Sequence, residues 1–161
     1  MVSLRSFVLD DASALRRIVS GRTVRFTHGH DMTAEEAAVS VRRFIAHDHE
    51  VPRTHWNFAV EQAGEVIGLV KARLAGGTAY LSYLLREDTW GNGYATDAVR
   101  KLSRIVFTDG VQRIEAKHHP DNPASGRVLV KAGFVPVREA EPVTVEDGVV
   151  LLHPVYELIA P

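Results

Sequence analysis

Gly91 and Gly93, one residue apart in Trp90-Gly91-Asn92-Gly93-Tyr94-Ala95-Thr96, are the residues of this chain best suited to hold an anion. Glycine turns tightly and lets a ligand approach the backbone with no side chain between them. The apolar run 79–85 before them reads as a strand, and a helical pattern follows, with Ala98, Leu102, Ile105 and Val106 on one face. A helix that starts there points unpaired N–H groups and its positive dipole end outward. Strand, glycine turn and helix together make a seat for phosphate. The plain alternative is a strand-to-helix connection with no ligand. A dinucleotide-binding turn is the other rival, but its third glycine or alanine falls at Thr96 and no parallel βαβ unit precedes it.

A second group of reactive side chains follows about thirty residues later. Asn122 precedes Pro123, a pairing suited to a helix N-terminus, and Ser125 falls on the first turn of that helix. His118 and His119 close the strand before it, where an imidazole of pKa about 6.5 could relay a proton from an amine; a packing or surface role is the alternative. His28, His30, His47, His49 and His55 gather in the first third of the chain. No His-Glu-x-x-His helix and no cysteine accompany them, so no metal site is expected. Asp31, Glu35, Glu36 and Glu61 could attract a cationic amine or form a solvated face.

The elements that must position these residues are legible from pattern. Residues 4–9 read as a first strand, and Asp10-Asp11 caps a helix through about Val19. Residues 21–31 read as a loop. Thr33-Ala-Glu-Glu36 is a capping box that opens a helix to about Ala46. Residues 57–62 and 65–74 flank Ala63-Gly64 as a hairpin, and Gly76-Gly77 turns the chain into the strand ending at Leu85. The helix after the glycine turn reaches about Thr108, and residues 113–118 form another strand. The short helix entered at Pro120-Asp-Asn-Pro123 ends at Ala132-Gly133. Residues 134–145 and 149–158 pair across Asp147-Gly148. The order β-α-α-β-β-β-α-β-α-β-β predicts a mixed α/β sheet with helices on its faces.

A length of 161 residues predicts one domain, since domains commonly run to about 100–200 residues. With no cysteine, disulfides, thiolate catalysis and covalent acetyl-cysteine chemistry are excluded, which suits a reducing compartment. A formal charge of −1 provides no broad field for nucleic acid or membrane. No signal peptide and no run of about 20 apolar residues is present, so a cytoplasmic protein is expected.

The turn at 90–96 and the stretch Asn122-Pro-Ala-Ser125 through Gly133-Phe134, in that order and with a strand between, resemble the GNAT superfamily of acetyl-CoA-dependent N-acetyltransferases. The nearest branch resembles the ribosomal-protein N-terminal acetyltransferases. The resemblance implies a single GNAT-like α/β (α+β) domain over residues 1–161, mostly antiparallel, with a V-shaped splay between the fourth and fifth strands. It implies acetyl-CoA as co-substrate, with pyrophosphate on the backbone of Gly91, Asn92, Gly93, Tyr94, Ala95 and Thr96. It also implies pantetheine bonded to backbone at Leu84 and Leu85, and Asn122 near its sulfur. Ser125 matches a serine placed to protonate the leaving thiolate, with His118 the candidate proton relay. Implied partners are an amine-bearing small molecule or a protein N-terminus and, by analogy, a second copy of the chain.

Departures from the family matter equally. Trp90 stands where arginine or glutamine is usual, leaving more of the phosphate binding to backbone. Leu129 stands where many members carry a tyrosine acid, and no carboxylate lies between Ala79 and Leu85 to act as base. These gaps motivate the alternative of a non-catalytic acyl-CoA-binding domain.

Overall fold

The computed structural model describes residues 1–27, 29–144 and 148–161, without the side chains of residues 139–141. Among the described residues, seven strands form one sheet: β1 (Ser3–Ser6), β2 (His55–Gln62), β3 (Glu65–Ala75), β4 (Thr78–Leu85), β5 (Arg113–Lys117), β6 (Val135–Thr144) and β7 (Val150–Ile159). Their spatial order is β1-β2-β3-β4-β5-β7-β6, and every neighbouring pair is antiparallel except β4 with β5. The described residues also form four α-helices: α1 (Ala12–Ile18), α2 (Ala34–His47), α3 (Tyr94–Thr108) and α4 (Pro123–Lys131). Among the described residues no helix is long and apolar enough to cross a membrane.

Both sheet faces are covered. On one, Trp56, Val60, Val70 and Leu81 pack with Val99, Leu102 and Val106 of α3 and Leu129 of α4. On the other, Ala59 and Leu69 pack with Leu15 and Ile18 of α1 and with Val41 and Phe44 of α2. The middle of β3, Val66 to Val70, is buried on both faces, which is why it reads as continuous apolar sequence without alternation. Gly68 in that run lets β4 lie close: a Cβ there would sit 2.8 Å from the Leu84 carbonyl oxygen and 2.9 Å from the Leu85 side chain.

The elements follow the pattern reading except near the N-terminus. The first strand stops at Ser6, because the Asp11 carboxylate takes the Val8 N–H (2.8 Å) and bends residues 9–11 into a 3-10 turn. Asp11 therefore serves that turn and Arg5 (2.8 Å) and does not cap α1 with its side chain. The expected loop at 21–31 begins as a 3-10 helix, Gly21–Phe26, whose first turn is fastened by the Ser20 N–H donating to Thr23 Oγ1 (3.1 Å). The capping box at Thr33 forms in both directions, at 3.1 Å each way. The β6–β7 pairing is present, although Val145 and Asp147 of the expected strand end and hairpin turn, like His28 of the histidine group, lie outside the described residues.

Candidate active site

The parallel pairing of β4 with β5 is short. It runs only from Thr78↔Arg113 to Tyr80↔Glu115. β4 nevertheless stays paired with β3 as far as Leu85↔Gly68, and β5 with β7 as far as Lys117↔Val155. The sheet therefore splits after Tyr80, and Leu81 to Leu85 lose their neighbour on one side. Backbone groups along such an open edge need partners from water or a ligand.

Strand alternation decides which groups face the gap. Arg86 N–H donates to the Ile67 carbonyl (2.8 Å), so even-numbered residues of β4 turn their backbone towards β3. The backbone of Leu84 is thereby directed at Leu69, and the groups facing the split belong to Leu81, Tyr83 and Leu85. Of the two residues expected to bond pantetheine, Leu85 turns its backbone to the split, whereas Leu84 turns its backbone to β3. The Leu85 carbonyl also accepts from the Trp90 indole N–H (2.9 Å), which ties the end of β4 to the start of the glycine turn.

That turn has the geometry expected of it. Gly91 and Gly93 have φ of 81° and 78°, left-handed values that suit glycine, and a Cβ on either would meet open space. Gly93 is the N-cap of α3, and the ladder's first bond runs from Asp97 N–H to the Gly93 carbonyl (3.1 Å). The N–H groups of Tyr94, Ala95 and Thr96 precede that bond, and all three residues line the cleft. Asn92 does not line it; its carboxamide donates to the Thr89 (3.0 Å) and Trp90 (3.2 Å) carbonyls and braces the turn. Arg22 lies 5.6 Å over the Trp90 ring and pairs with Glu87 at 3.0 Å, putting a guanidinium beside the turn.

Across the split, α4 brings the second motif. Asn122 sits at its N-cap, but the side chain makes no capping bond and, among the described residues, has no partner. Its carboxamide is available to the cleft it lines. Ser125 Oγ lies 2.6 Å from the Tyr83 hydroxyl, which also donates to the Ser125 carbonyl (3.0 Å). Burial pushes the Tyr83 phenol up to about 12, so it keeps its proton at neutral pH. Sequence reading missed Tyr83. Leu129, where the family's tyrosine was sought, is wholly buried in the core. The period-2 alternation of β4 was the available signal, since it puts Tyr83 and Tyr80 on opposite faces.

His118 is buried, with its Nδ1–H donating to the His119 carbonyl (2.7 Å) and Nε2 3.3 Å from the Tyr156 hydroxyl. Gly126 of α4 packs on this ring, since a Cβ there would lie 2.8 Å from Nε2. Both nitrogens are thus committed within the fold. His47, Glu50 and His55 bring ligand atoms within 4.8 Å of one another. The two imidazoles, however, stack at 3.9 Å and 12°. An ion must lie in the plane of each ring it binds, and nearly parallel planes do not converge on a shared position.

The cleft encloses about 1210 Å³ and runs from the glycine turn through the split to α2 and β3. That exceeds the roughly 300–1,000 Å³ of a drug-sized pocket and leaves room for a long donor beside an acceptor. Its α2 end is cationic. Lys71, across from Asn57 on β2 and Ser82 on β4, is largely enclosed; burial and then the Arg43 guanidinium lower its ammonium below the ordinary lysine value. The Asn57 amide is 3.0 Å from His47 Nδ1, and burial with the neighbouring His55 also lowers His47.

A profile of the Acetyltransferase (GNAT) domain family matches residues 2–135. The chain belongs to that family. This GNAT protein is an acyltransferase that uses acetyl-CoA as co-substrate, and the split, the glycine turn and the free Asn122 amide suit that donor. It is 29% identical over 137 residues to the uncharacterized N-acetyltransferase YoaA of Bacillus subtilis (strain 168), covering 81% of this chain and 77% of that one. The structure of Mycobacterium smegmatis RimJ in complex with CoA-disulfide superposes with a TM-score of 0.77 at 26% identity, over 99% of this chain and 82% of that one. The Microcin C7 self immunity acetyltransferase MccE, solved with acetyl-CoA and AMP, shares the fold with a TM-score of 0.86 at 18% identity, over 99% and 92%. The expected GNAT fold, with its split between the fourth and fifth strands, is the fold observed.

Proposed function

We propose that residues 1–161 act as one N-acetyltransferase domain that passes the acetyl group directly to a primary amine within a ternary complex. The observation that carries this reading is the Tyr83–Ser125 hydroxyl pair beside the open edge of β4. Acetyl-CoA supplies a thioester carbonyl for the amine to attack. Backbone N–H groups of Tyr83 and Leu85 face the gap and can hold the pantetheine arm or the carbonyl oxygen as it gains charge. As the carbon–sulfur bond breaks, Ser125 gives its proton to sulfur and takes one from Tyr83, which burial keeps protonated at neutral pH. The proton shed by the attacking amine nitrogen passes through cleft water and restores the Tyr83 hydroxyl. The absence of cysteine supports direct transfer, since no thiol can carry the acetyl group. His118 acts by positioning Tyr156 and α4.

The acceptor is an amine-bearing small molecule or a protein N-terminus. The resemblance of the sequence to the ribosomal-protein N-terminal acetyltransferases supports the second, and the enclosed end of the cleft at Lys71 supports the first. Pure protein incubated with acetyl-CoA and a panel of amines and peptides should release free CoA thiol in an amine-dependent way. Thiol release at background across the whole panel would overturn the proposal.

A further inference from the structure

The charge of the cleft narrows the acceptor, given the transfer reading above. Among the described residues lining it, eight are lysine or arginine and only Glu115 and Asp121 are acidic. Glu115 is already met by Arg113 (2.7 Å) and Arg138 (3.3 Å). The phosphates of the donor account for cations near the glycine turn and α4. They do not account for Lys71, which lies on β3, a strand removed from the gap, on the face covered by α2.

Lys71 has no carboxylate or carbonyl partner among the described residues, and the charge that acts on it is another cation lining the same cleft, Arg43. An ammonium held half-buried beside a guanidinium is costly unless an anion joins them. We propose that Lys71 and Arg43 seat an anion carried by the acceptor, so that the amine acetylated here bears a carboxylate or phosphate a few bonds away. Strand spacing sets that reach. β3 lies about 4.8 Å from β4, and the gap about as far again, while a lysine side chain spans most of one interval. Ser82, exposed on β4 between Lys71 and the gap, is placed to meet a polar group in the linking bonds. A polycationic acceptor such as an aminoglycoside or polyamine meets repulsion at this end.

The test uses full-length protein saturated with CoA, whose binding is measured first. N-acetylglycine, N-acetylglycinamide and the N-acetyl derivative of 2-aminoethyl phosphate are then titrated, following the Lys71 Nζ resonance by NMR and affinity by calorimetry. Saturable movement of Lys71 with either anion, and affinity at least roughly tenfold above the amide, is the expected result; whichever anion binds better identifies the headgroup. Lys71→Met should remove that preference with CoA affinity unchanged. If that variant does not fold, the wild-type comparison of acid with amide decides alone. Equal affinity for acid and amide, or no movement of Lys71 with either anion, would overturn the anion seat while leaving acetyl transfer intact. Failure of CoA to bind would instead sink the transfer reading itself.

Discussion

Tyr83 Oη lies 2.6 Å from Ser125 Oγ, joining two residues 42 positions apart, one on β4 and one on α4. Each hydroxyl has one proton, and Tyr83 can direct its own either to Ser125 Oγ or to the Ser125 carbonyl. In the first arrangement the serine proton is left to point into the cleft, where the leaving sulfur must be met.

Tyr83→Phe and Ser125→Ala should each lower kcat more than they raise KM for acetyl-CoA. Because the two groups act as one unit, the double variant should lose little more than the worse single, with a coupling energy of about 0.5–3 kcal/mol. Fully additive losses in steady-state kinetics would show that the two hydroxyls act separately.

Gly93 holds φ of 78° with open space where a Cβ would stand. Gly93→Val forces a branched residue into a left-handed conformation, at roughly 1–2 kcal/mol, and sets bulk where the phosphate should lie. Acetyl-CoA affinity should fall at least tenfold in calorimetry. Unchanged affinity would move the phosphate seat elsewhere.

Gly68→Ala tests how β4 is held. The added methyl meets the Leu84 carbonyl oxygen at 2.8 Å, a backbone atom that cannot swing aside. A stability loss of about 1–3 kcal/mol is expected in denaturant unfolding, together with weaker acetyl-CoA binding as the open edge shifts. A neutral substitution would show that β3 and β4 can separate freely.

Stability should fall on mild acidification. Burial, chiefly, lowers both His47 and His153 below 6.5, so the unfolded chain takes up protons before the folded one. Stability is complete above about pH 6.5 and declines as pH drops from there towards the lowered folded values. Protonating His47 also costs the acceptor that faces the Asn57 amide. Thermal unfolding should show a lower Tm at pH 5 than at pH 7, with a smaller difference in His47→Gln. A Tm independent of pH over that window would contradict the assignment.

The shape of the glycine turn was legible in sequence because it is set locally. Gly91, Gly93 and the start of α3 are contiguous, and their left-handed and helical geometry follows from residue type. Asn122 and Ser125 were likewise readable as the opening of a short helix. Which backbone faces the gap required the β3–β4 register, which turns Tyr83 and not Leu84 to the split. The Tyr83–Ser125 contact joins separate elements, Lys71 of β3 and Arg43 of α2 come to one cleft only through the tertiary fold, and no local spacing encodes either. Phe7 and Val8 failed as strand for a related reason, since Asp11 competes for the Val8 N–H from three residues away.

The most direct measurement is the map of backbone amide shifts on titration with CoA. The largest saturable changes should fall at Tyr83 and Leu85 on β4, at Gly91 through Thr96, and at Asn122, with Leu84 moving less than both its neighbours. Changes concentrated away from the split and the glycine turn, or none that saturate, would contradict the account.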